Sequence, residues 1–227
     1  MAGVLSSLKP ELSRAEIVVR IAIIGAGNVG SALSMAAVAA GHTVCLSATD
    51  RRKAVASAAE TGARAAEYNL DAVVDADIVV PAVPGSVVTA VADELASAVR
   101  GKIVVDATNP LNGTLTDLDI EETAAAQTVQ RHLPEVPVVK AFNTILAGRL
   151  NSPTERGVRL DAFCAGDDAE AKKTVSEFLT SLGFRPIDAG GLRMARSLEE
   201  MAFLNISLNA GQGWPWQSGW ALLGPTG

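Results

Sequence analysis

An α/β fold with a doubly wound, mainly parallel sheet is what this sequence predicts, and three observations carry it. Short apolar runs alternate with helix-period stretches along most of the chain. The first run, Ile21-Ala22-Ile23-Ile24, passes directly into Gly25-Ala26-Gly27-Asn28-Val29-Gly30, a G-x-G-x-x-G pattern. An Ala-rich stretch, Gly41-His42 and a second apolar run at 43–46 follow, which is the strand–turn–helix–strand setting that pattern requires. Together they predict a Rossmann sheet with a dinucleotide at its first turn.

The run at 21–24 is rich in Ile and too short for a helix, so it reads as a strand buried on both faces. Gly25 permits the tight turn out of that strand. Gly27, without a Cβ, lets a pyrophosphate approach the backbone, and Gly30 lets the next helix pack closely on the sheet. That helix, predicted over 28–40, aims its first N–H groups, at Asn28, Val29 and Gly30, and its positive dipole end at the phosphates. A second strand at 43–46 leads to a helix over 51–60, stopped by Thr61-Gly62. Residues 64–66 read as a short third strand, and 69–76 as a short helix capped by Asn69. The fourth strand covers 78–83 and is broken by Pro84-Gly85, with Pro81 marking a strand end or bulge. A helix over 86–99, a strand over 102–107, a loop at 108–113, a polar-faced helix over 121–133 and a strand over 136–141 complete this part. Further on come a strand at 160–165, a helix capped by Asp168 and ended by Gly183, a strand at 184–188 and a helix over 193–208.

Three segments follow: an N-terminal extension (1–17), the nucleotide-binding domain (18–150), and a short C-terminal α/β extension (151–227) expected to pack on the same sheet. The last is too short for the all-helical second domain of the larger hydroxyacid dehydrogenases.

The bulk properties exclude several classes of function. A net charge of −6 argues against a nucleic-acid partner. Cys45 and Cys164 stand far apart in apolar runs and read as small buried hydrophobes, and two histidines cannot build a His-rich metal site. No metal is therefore expected. No apolar run approaches the ~18 residues of a membrane span, and the first fifteen residues lack a signal-peptide core, so a soluble cytoplasmic protein is expected.

The cofactor type turns on the end of the second strand. Asp50 stands twenty residues after Gly30, where a simple spacing rule puts the ribose-binding acid of an NAD enzyme. That acid normally ends the second strand, which here is nearer Leu46 and Ser47. Small uncharged residues through Thr49 follow, then Arg51, Arg52 and Lys53, cations able to meet a 2′-phosphate. Cations in a helix's first turn oppose its dipole unless a ligand phosphate offsets them, so NADP is favoured over NAD. The alternative is that they are only the solvated start of a helix.

The chain resembles the coenzyme F-420-dependent NADP oxidoreductases and the related cytoplasmic reductase domain of the six-transmembrane ferric reductases. The resembling stretches are 23–30, 80–85, 104–111, Val138-Val139-Lys140-Ala141-Phe142-Asn143-Thr144 and Cys164-Ala165-Gly166-Asp167-Asp168. The most specific is Arg185-Pro186-Ile187-Asp188-Ala189-Gly190-Gly191-Leu192, with Ala195-Arg196 and Glu199 after it. The archetypal F-420 enzymes carry Gly-Gly-Thr-Gly where this chain has Gly25-Ala26-Gly27-Asn28, and Ser-Arg where it has Ala48-Thr49. Lys53 matches their later Lys, and Asn143-Thr144 is similar to the ferric-reductase branch.

The resemblance implies that Ala82, Val83 and Pro84 flank the cofactor after the fourth strand and that Asn109 and Pro110 sit beside it after the fifth. It implies that Ala141, Asn143 and Thr144 line the nicotinamide, and that Asn143, Ile145 and Leu146 form the pocket of an acceptor ring. Read alone, Asn109-Pro110 is a plain turn and Asn143-Thr144 a helix cap. It also implies a homodimer, an expectation to which the Ala-rich helices and Trp-rich tail contribute apolar surface.

No acid–base pair stands out, and His42 and His132 read as structural, so no catalytic residue is assigned. Hydride transfer between stacked rings needs only orientation. The leading reaction is hydride transfer between NADP(H) and a planar second cofactor, coenzyme F-420 or a flavin. An NADPH-dependent flavin, ferric or quinone reductase is the alternative, and a non-catalytic NADP sensor is the reading from another class. The tail over 211–220 holds all three tryptophans. It either covers the acceptor site or a dimer interface, or packs on its own sheet.

Overall fold

The computed structural model describes residues 18–114, 116–119 and 123–224, so the expected N-terminal extension at 1–17 lies outside the described residues. In chain order the first elements are β1 (Arg20–Ile24), α1 (Asn28–Ala39), β2 (Thr43–Ser47), α2 (Arg51–Thr61), β3 (Arg64–Ala65), α3 (Asn69–Val73) and β4 (Ile78–Pro81). Then come α4 (Val88–Leu95), β5 (Ile103–Asp106), α5 (Ala125–His132), β6 (Val138–Lys140), a hairpin of β7 (Thr154–Glu155) and β8 (Val158–Arg159), β9 (Asp161–Gly166), α6 (Ala169–Ser181), β10 (Arg185–Asp188) and α7 (Ala195–Gln212). Eight strands form one sheet in the order β10-β9-β6-β5-β4-β1-β2-β3. Every neighbouring pair is parallel except β6 and β9. This is the doubly wound Rossmann arrangement, extended by the C-terminal strands on the same sheet.

Alternation along the strands builds two apolar layers. Ile21, Ile23, Val105 and Val139 face α1 and α6, meeting Leu33, Ala37, Val175 and Phe178. Ala22, Ile24, Val104 and Val138 face the other way, toward Val88 and Leu95 of α4 and Val129 of α5. A sheet covered on both faces requires strands that are apolar on both sides, and the Ile/Val runs supply them.

The elements differ from the sequence reading in several places. Asn69 does not cap α3: Tyr68 is the cap residue, while Asn69 accepts from the Ser47 hydroxyl at 2.8 Å and donates to Glu94 at 2.9 Å. The nearby Ser47 captures the amide that would otherwise serve the helix end. The fourth strand ends at Pro81, opposite Ile24; proline gives no N–H, and the Ala82 N–H donates to Ile24 instead at 2.8 Å. The helix expected over 86–99 begins as a 3-10 turn, Gly85–Val87, and only then becomes α4. The β7–β8 hairpin, with two residues per strand, is too short to leave a periodic signal. The start of the helix expected over 121–133 lies partly outside the described residues, and α5 itself begins at Ala125.

Asp168 caps α6 as expected, accepting from the Ala171 N–H at 2.8 Å, and Gly183 follows at φ +89°. Cys45 and Cys164 are buried and unpaired with each other. Among the described residues no group of His, Cys, Asp and Glu could hold a metal ion, and no helix is long and apolar enough to cross a membrane.

His42 joins the start of the sheet to α6. Its Nδ1 accepts from the Val19 N–H at 3.2 Å, so the neutral ring carries its proton on Nε2, which meets the Ser181 hydroxyl at 2.7 Å. Its ring packs edge-on to Phe178. Burial lowers the pKa of His42 below the ordinary 6.5. The unfolded chain therefore binds this proton at a higher pH than the folded one, and stability present above 6.5 is lost as pH falls toward the folded value. Chemical denaturation between pH 8 and 5 is expected to show that loss, bounded at about 1.4 kcal/mol per pH unit for one proton. H42N is expected to flatten the response; an equally steep loss in H42N would place its source elsewhere.

Candidate functional site

The carboxyl ends of β1, β2, β4, β5 and β6 meet along one edge of the sheet, on both sides of the point where the winding reverses. At β1, Gly25 has φ +118° and a Cβ there would collide with the Ala82 carbonyl oxygen after β4. At Gly30 a Cβ would collide with the Gly25 carbonyl oxygen, so that glycine lets α1 sit against the turn. Gly27 is different: a Cβ would meet nothing within 4 Å, so the space in front of it is open. Gly27 is also the cap residue of α1, with no side-chain cap and no acidic residue in the first turn. The N-terminus of α1, at Asn28 and Val29, is thus a helix end with neither capping side chain nor carboxylate of its own.

At the end of β2, Asp50 is a helix cap that accepts from the Arg52 N–H at 3.1 Å. Its role in capping α2 accounts for its position without a ribose. Arg51 pairs with Glu67 at 2.5 Å and lies over the Tyr68 ring at 4.7 Å. Arg52 is 93% exposed, and Thr49 and Lys53 are exposed with it. The three cations therefore form one solvent-facing group beside the end of β2.

The loops after β4 and β5 touch. A Cβ on Gly85 would lie 2.9 Å from the Asn109 carbonyl oxygen and 2.9 Å from the Pro110 Cα, which places Ala82, Val83 and Pro84 beside Asn109-Pro110. The loops after β5 and β6 are tied by a reciprocal pair of amides. Asn109 Nδ2 donates to the Asn143 carbonyl at 2.9 Å, and Asn143 Nδ2 donates to Asn109 Oδ1 at 3.0 Å and to the Leu198 carbonyl at 2.9 Å. Asn143 is therefore no helix cap. Just before it, Phe142 holds φ +66°, a left-handed backbone that a bulky residue rarely adopts. Its ring is buried against Phe178, which locks the conformation. Asn143 Oδ1 and Thr144 Oγ1 are buried and have no hydrogen-bond partner.

Ala141 and Ile145 are buried in the main core beneath these loops. Of the three residues expected in the acceptor pocket, Leu146 opens on a cleft of about 580 Å³, together with Asn28, Ala32, Met35, Trp216 and Gln217. The tail thus divides between the expectations made for it. Trp220 packs in its own subunit on Phe163, Ala165 and Leu198, whereas Trp216 walls the cleft.

Beneath the β5 and β6 loops, Lys140 and Glu199, named above only within the resembling stretches, meet Asp106 in a group the sequence reading did not foresee. The Lys140 ammonium is fully buried and donates to Asp106 Oδ2 at 3.0 Å, Glu199 Oε1 at 2.8 Å and the Thr108 carbonyl at 2.6 Å. Asp106 also accepts from the Thr108 N–H and hydroxyl, and Glu199 from the Ala125 N–H. Burial works to lower the Lys140 pKa, but the charges of Asp106 and Glu199 outweigh it and hold the ammonium above its ordinary value. For Glu199 burial dominates and pushes the carboxyl up, against the pull of Lys140. A lysine interrupting an otherwise apolar strand was the available signal.

The family described as "NADP oxidoreductase coenzyme F420-dependent" matches residues 20–110. The chain is 32% identical over 208 residues to the "F420-dependent NADP reductase" of Methanothermobacter marburgensis, covering 84% of this chain and 92% of the relative. It is 40% identical over 105 residues to "Metalloreductase STEAP3" of Rattus norvegicus, covering 46% of this chain and 21% of that protein. Among solved structures it is similar to a protein from Arthrobacter sp. FB24 described as a candidate F420-dependent NADP reductase, with 28% identity, a TM-score of 0.80, and coverage of 90% and 100% of the two chains. The fold, the glycine turn and this extended likeness agree, and the chain belongs to the coenzyme F420-dependent NADP oxidoreductase family as an NADP-using oxidoreductase.

Proposed function

We propose that the protein transfers hydride between NADP(H) and a planar second cofactor, with coenzyme F-420 as the leading acceptor and a flavin next. The observation that carries this reading is the pair of buried, unpartnered polar atoms at the carboxyl end of β6, Asn143 Oδ1 and Thr144 Oγ1, in the same loop as Leu146 of the cleft. Buried polar groups without partners are costly, and they belong where a ligand supplies the missing bonds.

NADP fits the residues present. The pyrophosphate has the open space before Gly27 and the uncapped α1 N-terminus. The 2′-phosphate has Thr49, Arg51, Arg52 and Lys53, with Arg51 already held by Glu67 and Tyr68. Ala82, Val83 and Pro84, with Asn109 and Pro110, flank the ribose and nicotinamide, and Asn143 and Thr144 meet the carboxamide. When bound, NADPH supplies the hydride. The protein's part is to orient and to exclude water: the Asn109–Asn143 pair fixes the spacing of the two loops, and Leu146 and Trp216 give the second ring an apolar wall. A wall of this kind suits an uncharged planar ring better than a small carboxylate, which calls for an Arg clamp. The relatives named as F420-dependent reductases support F-420, and the similarity to a metalloreductase supports the flavin or ferric alternative.

R51A/R52A is expected to weaken NADPH binding by about tenfold or more while leaving NADH unchanged, because only NADPH loses charge-assisted hydrogen bonds. Fluorescence titration measures both; equal weakening of the two would remove these arginines from the 2′-phosphate site. A panel of F-420, FMN, FAD, ferric chelate and quinone with NADPH tests the acceptor. Saturable oxidation is expected with F-420, and turnover only with flavin or iron would move the protein to the other branch. L146W is expected to cut acceptor turnover at least tenfold while NADPH still binds, because the indole fills the cleft. Loss of NADPH binding with the fold intact would put the acceptor elsewhere.

We further propose a homodimer in the cytoplasm. Leu204 and Leu208 on α7 and Trp214 and Trp216 in the tail are all exposed by a third or more and supply apolar surface. Light scattering is expected to give twice the chain mass at micromolar concentration; a monomer there would reject it.

A further inference from the structure

Lys140, Asp106 and Glu199 pair one cation with two carboxylates in a space closed to solvent. A staple between β5 and β6 needs only Lys140 and Asp106. Glu199 adds a second carboxylate from α7, so the fully ionised group carries a net charge of minus one. The charged groups facing Glu199 are Lys140 from β6 and Asp106 from β5, while α5 offers it the Ala125 N–H. The group lies at the base of the loops after β5 and β6, because Lys140 donates to the Thr108 carbonyl and precedes Ala141 by one residue. Asn109 and Asn143, which tie these two loops and are proposed above to sit beside the nicotinamide, follow Thr108 and Phe142 immediately.

We propose that this buried group favours the oxidised, positively charged nicotinamide over the reduced, neutral one, with Glu199 as the residue that sets the bias. The inference rests on the hydride-transfer reading above. In that reaction the C4–H bond of the reduced ring breaks and the hydride leaves with both bonding electrons. The ring remains as a cationic pyridinium, and the planar acceptor gains the hydride together with a proton from solvent. The phosphates, ribose and carboxamide are common to both forms, so it is at the ring, where one form carries a positive charge, that a fixed charge can tell them apart. A net negative charge fixed in a water-excluded site acts on that difference. The raised pKa of Glu199 makes the charge adjustable, because a proton on Glu199 returns the group to neutrality.

The test is the ratio of the dissociation constants of NADP+ and NADPH, measured by titration with no acceptor present. In E199Q, titrated at a temperature where the variant is still fully folded, the ratio is expected to move against NADP+ by about fivefold while NADPH affinity stays close to that of the wild type. A purely structural role would shift both affinities together and leave the ratio unchanged, which overturns the inference. The wild-type protein carries a second test that needs no variant. As pH is lowered, the preference for NADP+ is expected to decline when Glu199 takes up its proton, at a higher pH than an ordinary carboxylate because burial pushes it up, whereas titration of the 2′-phosphate affects both forms and cancels. A flat wild-type ratio, or an equal slope in E199Q, overturns the inference. Failure of the wild type to bind either nucleotide overturns the NADP reading itself, whereas binding of both with an unmoved ratio overturns only this inference.

Discussion

A buried ammonium ion holds three distant parts of this chain to one point. Lys140 has no access to water, so each of its protons must be taken up inside the protein, and Asp106, Glu199 and the Thr108 carbonyl do so. The acceptors come from the end of β5, the following loop and α7. Removing one partner of such a group typically costs about 3–5 kcal/mol, because the remaining charge is left unpaired. An apolar set of similar volume would give stability as readily. What the ionic set adds is direction: the hydrogen bonds define where the β5 and β6 loops begin.

From that fixed base the two loops are shaped by a second constraint. Phe142 is held in a left-handed conformation by burial of its ring, and this turns the next residue, Asn143, across to Asn109 and to the Leu198 carbonyl. Strain of this kind persists only where packing over-determines it. The core under the loop, including Ala141 and Ile145, supplies the packing. The same local geometry leaves Asn143 Oδ1 and Thr144 Oγ1 without partners. The anchored amide thus faces protein, while the two unanchored oxygens are the atoms that the proposed cofactor would meet.

How much of this could be read from the sequence depended on the range of the interaction. The turn at Gly25, Gly27 and Gly30 was legible because each glycine answers a local steric demand. The parallel, doubly wound sheet followed from alternation of strand and helix, and the Asp168 cap from its position before an apolar periodic run. Asn69 misled because a side chain twenty-two residues earlier, Ser47, competes for it. Glu199 and Lys140 lie fifty-nine residues apart, and no spacing rule joins them. The left-handed turn at Phe142 had no glycine or asparagine to announce it. Arg51, Arg52 and Lys53 could be located as one group from sequence alone, although the hold of Glu67 and Tyr68 on Arg51 could not.

The reversal of β9, which β10 shares, explains why the C-terminus reaches the cleft. Between β6 and β9 the chain makes only short turns and the β7–β8 hairpin, with no crossover helix, so β9 returns antiparallel to β6. Lys140 pairs with Ala165, which puts Asp161, at the start of β9, beyond the carboxyl end of β6. Asp161 is then the anchor for the tail. Its N–H donates to the Trp220 carbonyl at 2.8 Å, and its carboxylate accepts from the Leu222 N–H and from Arg185. Ser218 ties the same segment to Asn205 and Asn209 on α7. A parallel β9 would have begun at the opposite edge of the sheet and carried its anchor away from the cleft. With β9 reversed, the residues just before the anchor, Trp216 and Gln217, pass over Gly148 and face Leu146, and the end of the chain becomes part of the cleft wall.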